Sequence, residues 1–160
     1  MKQIIIIASI LLSTLSFAKR PKIPRQKVYL QGKVKEEKVF KMDDLAKLDT
    51  VEVDIIDPYS THQKIKFTGI YLHKLHEQFA MPEAKVMDIF AINDYKVEIT
   101  VEDAKKEKML LAFKGDGEYL SVAQRGPARI VIPGKGKIKE GALAKEGIKW
   151  VWFVKTIIFK

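Results

Sequence analysis

The sequence of 160 residues contains no cysteine. That absence excludes a thiol nucleophile, a cysteine-based zinc site, an iron–sulfur cluster, a c-type haem attachment and any thiolate ligand to a metal. It also excludes disulfides, which a domain of this size can do without even outside the cell. Histidine is scarce, with three in the chain, at His62, His73 and His76. Beyond the first eighteen residues no stretch is long and apolar enough to span a bilayer. Internal repeats and low-complexity tracts are missing too. Strands do not alternate regularly with long helices, which disfavours a Rossmann-type parallel sheet.

What is present begins with "MKQIIIIASILLSTLSFA". One early positive charge at Lys2 precedes an apolar run from Ile4 to Leu12, and Ser16 and Ala18 occupy the small-residue positions of a secretory cleavage site. The run is shorter than the roughly 20 residues of a membrane span, so residues 1–18 read as a cleaved signal peptide rather than a retained anchor. No cysteine follows it, which argues against a lipoprotein. The expected location is periplasmic or secreted, with no stable transmembrane span after cleavage. Residues 19–27, "KRPKIPRQK", read as an exposed basic arm, and 28–160 as one domain.

The formal charge is +9, and removal of the signal leaves +8, because Lys2 is its one charged residue. An exported basic chain is not expected to meet nucleic acid. Its excess charge suits an anionic small molecule, an acidic protein or an anionic envelope surface, or serves solubility alone. With 47% hydrophobic residues the chain can build a real core and is not a disordered tail.

Strand-like runs recur. "TVEVDII" alternates, with Val51, Val53 and Ile55 on one face. "DPYST" marks a turn, and "KIKF" is its hairpin partner. "MDDLAKL" predicts a short helix with Asp43 as N-cap. From Gly69 to Phe79 the period becomes helical, through Ile70, Leu72, Leu75, His76 and Phe79, and the helix ends before Pro82. "VMDIFAI" and "KVEITV" predict two strands joined by a turn at Asn93, Asp94 and Tyr95. "VEDAKKEK" predicts a short charged helix, "MLLAFK" a buried strand, and "KWVWFVKTIIF" a long apolar closing strand. The sum is an α+β domain of mixed β-sheets with a few short helices.

Candidate chemistry is sparse. His73 and His76 stand one turn apart beside Glu77, either as metal ligands or, for His76 on the apolar stripe, as a packed histidine; the order is not that of H-E-x-x-H. His62 lies in a turn beside Lys64 and either binds an anion or faces solvent. "GKGK" offers backbone freedom and two ammonium groups but lacks P-loop spacing. "QRGPARIVIP" sets Arg125 and Arg129 on either side of a Gly-Pro turn, where guanidinium forks suit phosphate or carboxylate. No Ser-His-Asp arrangement can be inferred, since neither Ser60 nor Ser121 sits in a nucleophile elbow.

Five segments, in order, resemble a known family. They are "FTGIYLHKL", "AINDYKVEIT", "AFKGDGEYL", "RGPARIVIP" and "WVWFVKTIIF". The chain is similar to the oxidoreductase molybdopterin-binding domain, the sulfite-oxidase fold, and most to short exported stand-alone members. The resemblance implies that fold. The family's redox enzymes hold molybdenum partly through a protein cysteine and carry a second, dimerising domain. This sequence has no cysteine and stops at Lys160. The expectation is therefore a non-catalytic binding or accessory module, with no cofactor, for a small anionic ligand or a periplasmic partner protein. Its expected contacts are His62, Asn93, Asp94, Tyr95, Arg125 and Arg129. The alternative is a molybdopterin-dependent oxidoreductase without a protein thiolate on the metal.

Overall fold

A computed structural model describes residues 22–139 and 141–160. The expected signal peptide and the first residues of the basic arm lie outside the described residues. Two five-stranded sheets share one hydrophobic core. The first runs β2 (Lys38–Lys41), β1 (Lys27–Gly32), β10 (Val154–Phe159), β5 (Val86–Ala91), β6 (Lys96–Thr100). Only the β1–β10 pair is parallel. The second runs β3 (Val51–Asp57), β4 (Gln63–Tyr71), β7 (Leu110–Gly115), β8 (Glu118–Tyr119), with β9 (Arg129–Val131) also paired to β7. Among the described residues four short helices connect these strands: α1 (Met42–Leu45), α2 (Leu72–Phe79), α3 (Val101–Lys106) and α4 (Leu143–Glu146).

Side-chain alternation decides which face of each sheet is buried. In the first sheet the register lines up Leu30, Ile157, Ile89 and Val97, all buried. In the second it lines up Ile70, Leu111 and Ile130, also buried. Phe67, Phe113 and Phe159 fill space in the core, and side chains of this kind contribute about 1.5–3 kcal/mol each when removed from water. Among the described residues no helix is long and apolar enough to cross a membrane.

Three boundaries differ from the sequence reading. The N-cap of α1 is Lys41, and Asp43 sits inside the first turn. There Asp44 accepts from the Lys41 backbone N–H, so the acid that caps the helix stands three places after the cap residue. The helical pattern from Gly69 holds only from Leu72, because Gly69, Ile70 and Tyr71 pair with β7. The spacing of Ile70 and Leu72 fits a strand as well as a helix, and the ladder hydrogen bonds decided between them. The closing strand begins at Val154, not Lys149. Phe153, at φ 53°, breaks the extended conformation just before it.

Candidate functional site

The Asn93–Asp94–Tyr95 turn closes the β5–β6 hairpin. Ala91 N–H donates to the Tyr95 carbonyl at 2.9 Å and Asp94 N–H to the Ala91 carbonyl at 3.2 Å. Asn93 Oδ1 accepts from Tyr95 N–H at 3.3 Å. Asp94 adopts φ 63°, a left-handed conformation that Asn and Asp tolerate better than most residues. Local turn chemistry therefore accounts for Asp94, which is exposed and lines none of the cavities described below. Asn93 and Tyr95 line a cleft.

Two turns meet at Phe153. Its carbonyl accepts from Ile92 N–H at 3.0 Å, and its own N–H donates to the Arg125 carbonyl at 3.4 Å. The irregular segment before β10 is thus held between the β5–β6 turn and the Arg125–Gly126–Pro127 turn. Its backbone groups serve both turns instead of one ladder, which is why the predicted long strand stops short.

The cleft occupies about 460 Å³ and is walled by Tyr59, Asn93, Tyr95, Trp150, Trp152 and Phe153, with Gly147 and Ile148 completing it. Tyr59 packs edge-on against Trp152, with centroids 4.6 Å apart. The Tyr59 hydroxyl donates to the Gly147 carbonyl at 3.2 Å, and the Tyr95 hydroxyl donates to the Ile148 carbonyl at 3.1 Å. A Cβ at Gly147 would collide with the Tyr59 hydroxyl, so glycine is required there. Burial pushes the Tyr59 hydroxyl above its ordinary pKa, so it stays protonated at neutral pH. The indole Nε1 atoms of Trp150 and Trp152 are shielded from solvent and have no hydrogen-bond acceptor among the described residues.

The two arginines have separate surroundings. Arg125 is half-buried. Its Nη2 donates to the Tyr59 carbonyl at 2.6 Å, and its guanidinium lies 4.9 Å from the Trp152 ring centre and 5.4 Å from that of Tyr59. Its charge therefore sits directly behind two walls of the cleft. Arg129 is 1% exposed and forms a bidentate pair with the fully buried Asp57, at 2.9 and 3.0 Å. Asp57 also accepts from Ser60 Oγ at 2.8 Å and Tyr59 N–H at 3.2 Å. Burial alone would raise the Asp57 pKa, but these donors and the Arg129 charge outweigh it and hold the carboxyl below its ordinary value. Arg129 therefore anchors the turn that carries Tyr59 and does not face the cleft. The expected pair of guanidinium forks on one ligand is not the arrangement found.

His62 stands apart as well. It adopts φ 57°, its Nε2 lies 3.3 Å from the Ile138 carbonyl, and it lines a different cavity of about 300 Å³. His76 Nε2 bonds the Ala84 carbonyl at 2.8 Å, as a packed histidine does, while His73 stacks on Tyr71. In "GKGK", Gly136 passes so close to the Ile56 backbone that no side chain fits. That loop is packed on the end of β3 rather than open around an anion. Of the six expected contacts, Asn93 and Tyr95 line the cleft, Arg125 backs it, and Asp94, His62 and Arg129 do not reach it. The sequence reading missed Tyr59, Trp150, Trp152 and Phe153. The signal available for them was the aromatic density of "KWVWF", read as strand core.

Among the described residues the cleft walls carry no carboxylate, imidazole, thiol or amine. Among the described residues no cluster of three His, Asp or Glu could hold a metal ion. These donors do not fit a molybdenum centre that needs a soft thiolate from the protein, because a phenol or an amide differs in charge and softness.

The oxidoreductase molybdopterin binding domain model matches residues 59–156. No curated protein matches the chain. Among solved structures, the fold is similar to that of the sulfane dehydrogenase SoxCD from Paracoccus pantotrophus, at 20% identity and a TM-score of 0.63. The match covers 84% of this chain and 38% of that one, so this chain spans well under half the length of that relative. The five segments, the two-sheet fold and the family match over more than half of the sequence agree, and the chain belongs to the oxidoreductase molybdopterin-binding domain family, with the sulfite-oxidase-type fold.

Proposed function

We propose that the protein is an exported, non-catalytic binding module, and that its cleft takes a small, flat, anionic ligand. The observation that carries this reading is the aromatic cleft itself, walled by Tyr59, Trp150 and Trp152 and backed by the Arg125 guanidinium. The aromatic walls suit a flat ligand. The positive charge behind Trp152, with no acid on the walls, favours an anion. Nothing on the walls is equipped to act as a nucleophile or as a base near neutral pH, which supports binding without turnover. Export rests on the pattern of residues 2–18.

Tryptophan fluorescence during titration tests this directly. Benzoate and nicotinate are expected to quench, with benzamide at least tenfold weaker and inorganic phosphate weaker still. Arg125→Gln is expected to weaken benzoate about tenfold, roughly what one charge supplies at 8–10 Å in a partly screened site. Equal binding of benzamide and benzoate would overturn the anion reading. Stoichiometric molybdenum in protein purified from its native envelope would overturn the non-catalytic one and favour the oxidoreductase.

A further inference from the structure

The first sheet turns its second face outward. Register places Val39, Tyr29, Thr156, Phe90 and Lys96 in one row across all five strands. Ile158 lies on the same face, in a row with Asp88 and Glu98. Tyr29, Phe90 and Ile158 are only partly covered, and Val39 is 51% exposed. A sheet face left to water normally alternates to polar residues; this one places an apolar band at its centre.

The rim is basic. Lys27 pairs in register with Lys41, and both are exposed, as are Arg25 and Lys155. None of these four forms an ion pair among the described residues. The two acids of the face are already engaged, Asp88 with Lys96 and Lys160, and Glu98 with Lys160. At one end, Arg25, Lys27, Lys155, Tyr29 and the exposed Ile92 border a groove of about 390 Å³.

We propose that this face is a docking surface for a partner protein with an acidic contact surface and an apolar centre. Charge complementarity selects that occupant. A second copy would bring the same basic rim, in a chain of net charge +9, and the chain's own "KRPKIPRQ" arm has the same sign. A bilayer would call for apolar side chains standing clear of the rim, and Tyr29, Phe90 and Ile158 are each partly covered. Four strand spacings of about 4.8 Å and strands of about 20 Å give a footprint of roughly 400 Å², or about 800 Å² over both partners, which suits a transient complex. The inference does not depend on what fills the cleft.

The test uses the full chain in its own cells, with a photo-crosslinking phenylalanine analogue in place of Phe90 or Tyr29, and at Val122 as an exposed apolar control outside the sheet. A discrete adduct with an acidic protein is expected from Phe90 and Tyr29 and not from Val122. Lys27→Glu with Lys155→Glu is expected to cut its yield at least tenfold. Lys105→Glu with Lys106→Glu changes the net charge equally on exposed positions of α3 and should leave the yield within twofold. Adducts with lipid or with a second copy, equal yield from Val122, equal loss from both lysine pairs, or no adduct would each overturn the proposal. Loss of benzoate quenching would not, since that measures the cleft alone.

Discussion

Arg125 and Arg129 stand four residues apart around one Gly-Pro turn, and the fold gives them opposite tasks. Arg129 is enclosed, with both terminal nitrogens on Asp57 and Nη1 also on the Gln124 carbonyl. Arg125 is half-buried, stacked against Tyr59 and Trp152, and keeps donors to spare. Residue type and spacing are alike for both, so neither identifies the arginine available to a ligand. What separates them is whether a carboxylate has been buried beside the guanidinium. A desolvated ion pair is committed to the fold, because releasing either partner leaves a charge stranded out of water.

The largest expected effect breaks that pair. Asp57→Ala leaves the Arg129 guanidinium buried without its counter-ion and is expected to cost about 3–5 kcal/mol in guanidinium chloride unfolding. It also removes two of the contacts that hold the Tyr59 turn. Arg125→Ala should cost about 1–2 kcal/mol by the same measurement, from one hydrogen bond and stacking on two rings. Similar losses from the two would erase the distinction between a structural and an available arginine.

Acid offers a second way to separate them. The native pKa of Asp57 is lowered, so the unfolded chain binds a proton at this site more readily than the native one. Stability from this group is fully present above the unfolded carboxylate value of about 3.9 and is lost as pH falls through the lower native value. Unfolding free energy measured from pH 5 down to pH 2 should fall steeply in the parent and less steeply in Asp57→Asn. Arg125→Ala should keep the parent's steepness, since its side chain touches no carboxylate among the described residues.

The same contrast shows how far the sequence could be read. Period-two patterns placed most strands, because a sheet with one buried face writes its register into every second residue. Boundaries failed where tertiary bonds overrode local pattern, at Gly69–Tyr71 and Lys149–Phe153. Asn93 and Tyr95 were legible because turn chemistry is local. The pairing of Asp57 with Arg129 was not, although a hint existed: an acid ends the apolar run "VEVDIID" and an arginine opens "RIVIP", and buried opposite charges require each other. Tyr59 and the two tryptophans reach the cleft from distant segments, and only the fold shows that one face of "KWVWF" lines a cavity instead of filling the core.

The indole groups test what the two tryptophan walls contribute to the cleft. Trp150→Phe and Trp152→Phe each remove an N–H that has no partner among the described residues, so no hydrogen bond seen in the fold is lost. Each should change stability by about 1 kcal/mol or less, because relief of the unpaired donor offsets some lost packing. Both N–H groups are closed to solvent, and hence to a ligand in the open cleft, so benzoate affinity should fall only about two- to threefold, from the smaller stacking face of phenylalanine. A stability loss with unchanged benzoate affinity would make both tryptophans simple wall material.

The smallest effect compares the two tyrosine hydroxyls that tether the Gly147–Ile148 segment. Tyr59 is half-buried and bonds the Gly147 carbonyl; Tyr95 is 44% exposed and bonds the Ile148 carbonyl. Water can replace the Tyr95 hydroxyl at the mouth of the cleft but not the Tyr59 hydroxyl at its wall. Tyr59→Phe should therefore cost about 1 kcal/mol and Tyr95→Phe about half of that or less. Hydrogen exchange at the amides of residues 147–150 reads the tether itself, and it should speed up more for Tyr59→Phe. Faster exchange from Tyr95→Phe would mean that the exposed turn, and not the buried Asp57–Arg129 anchor behind Tyr59, sets the width of the cleft.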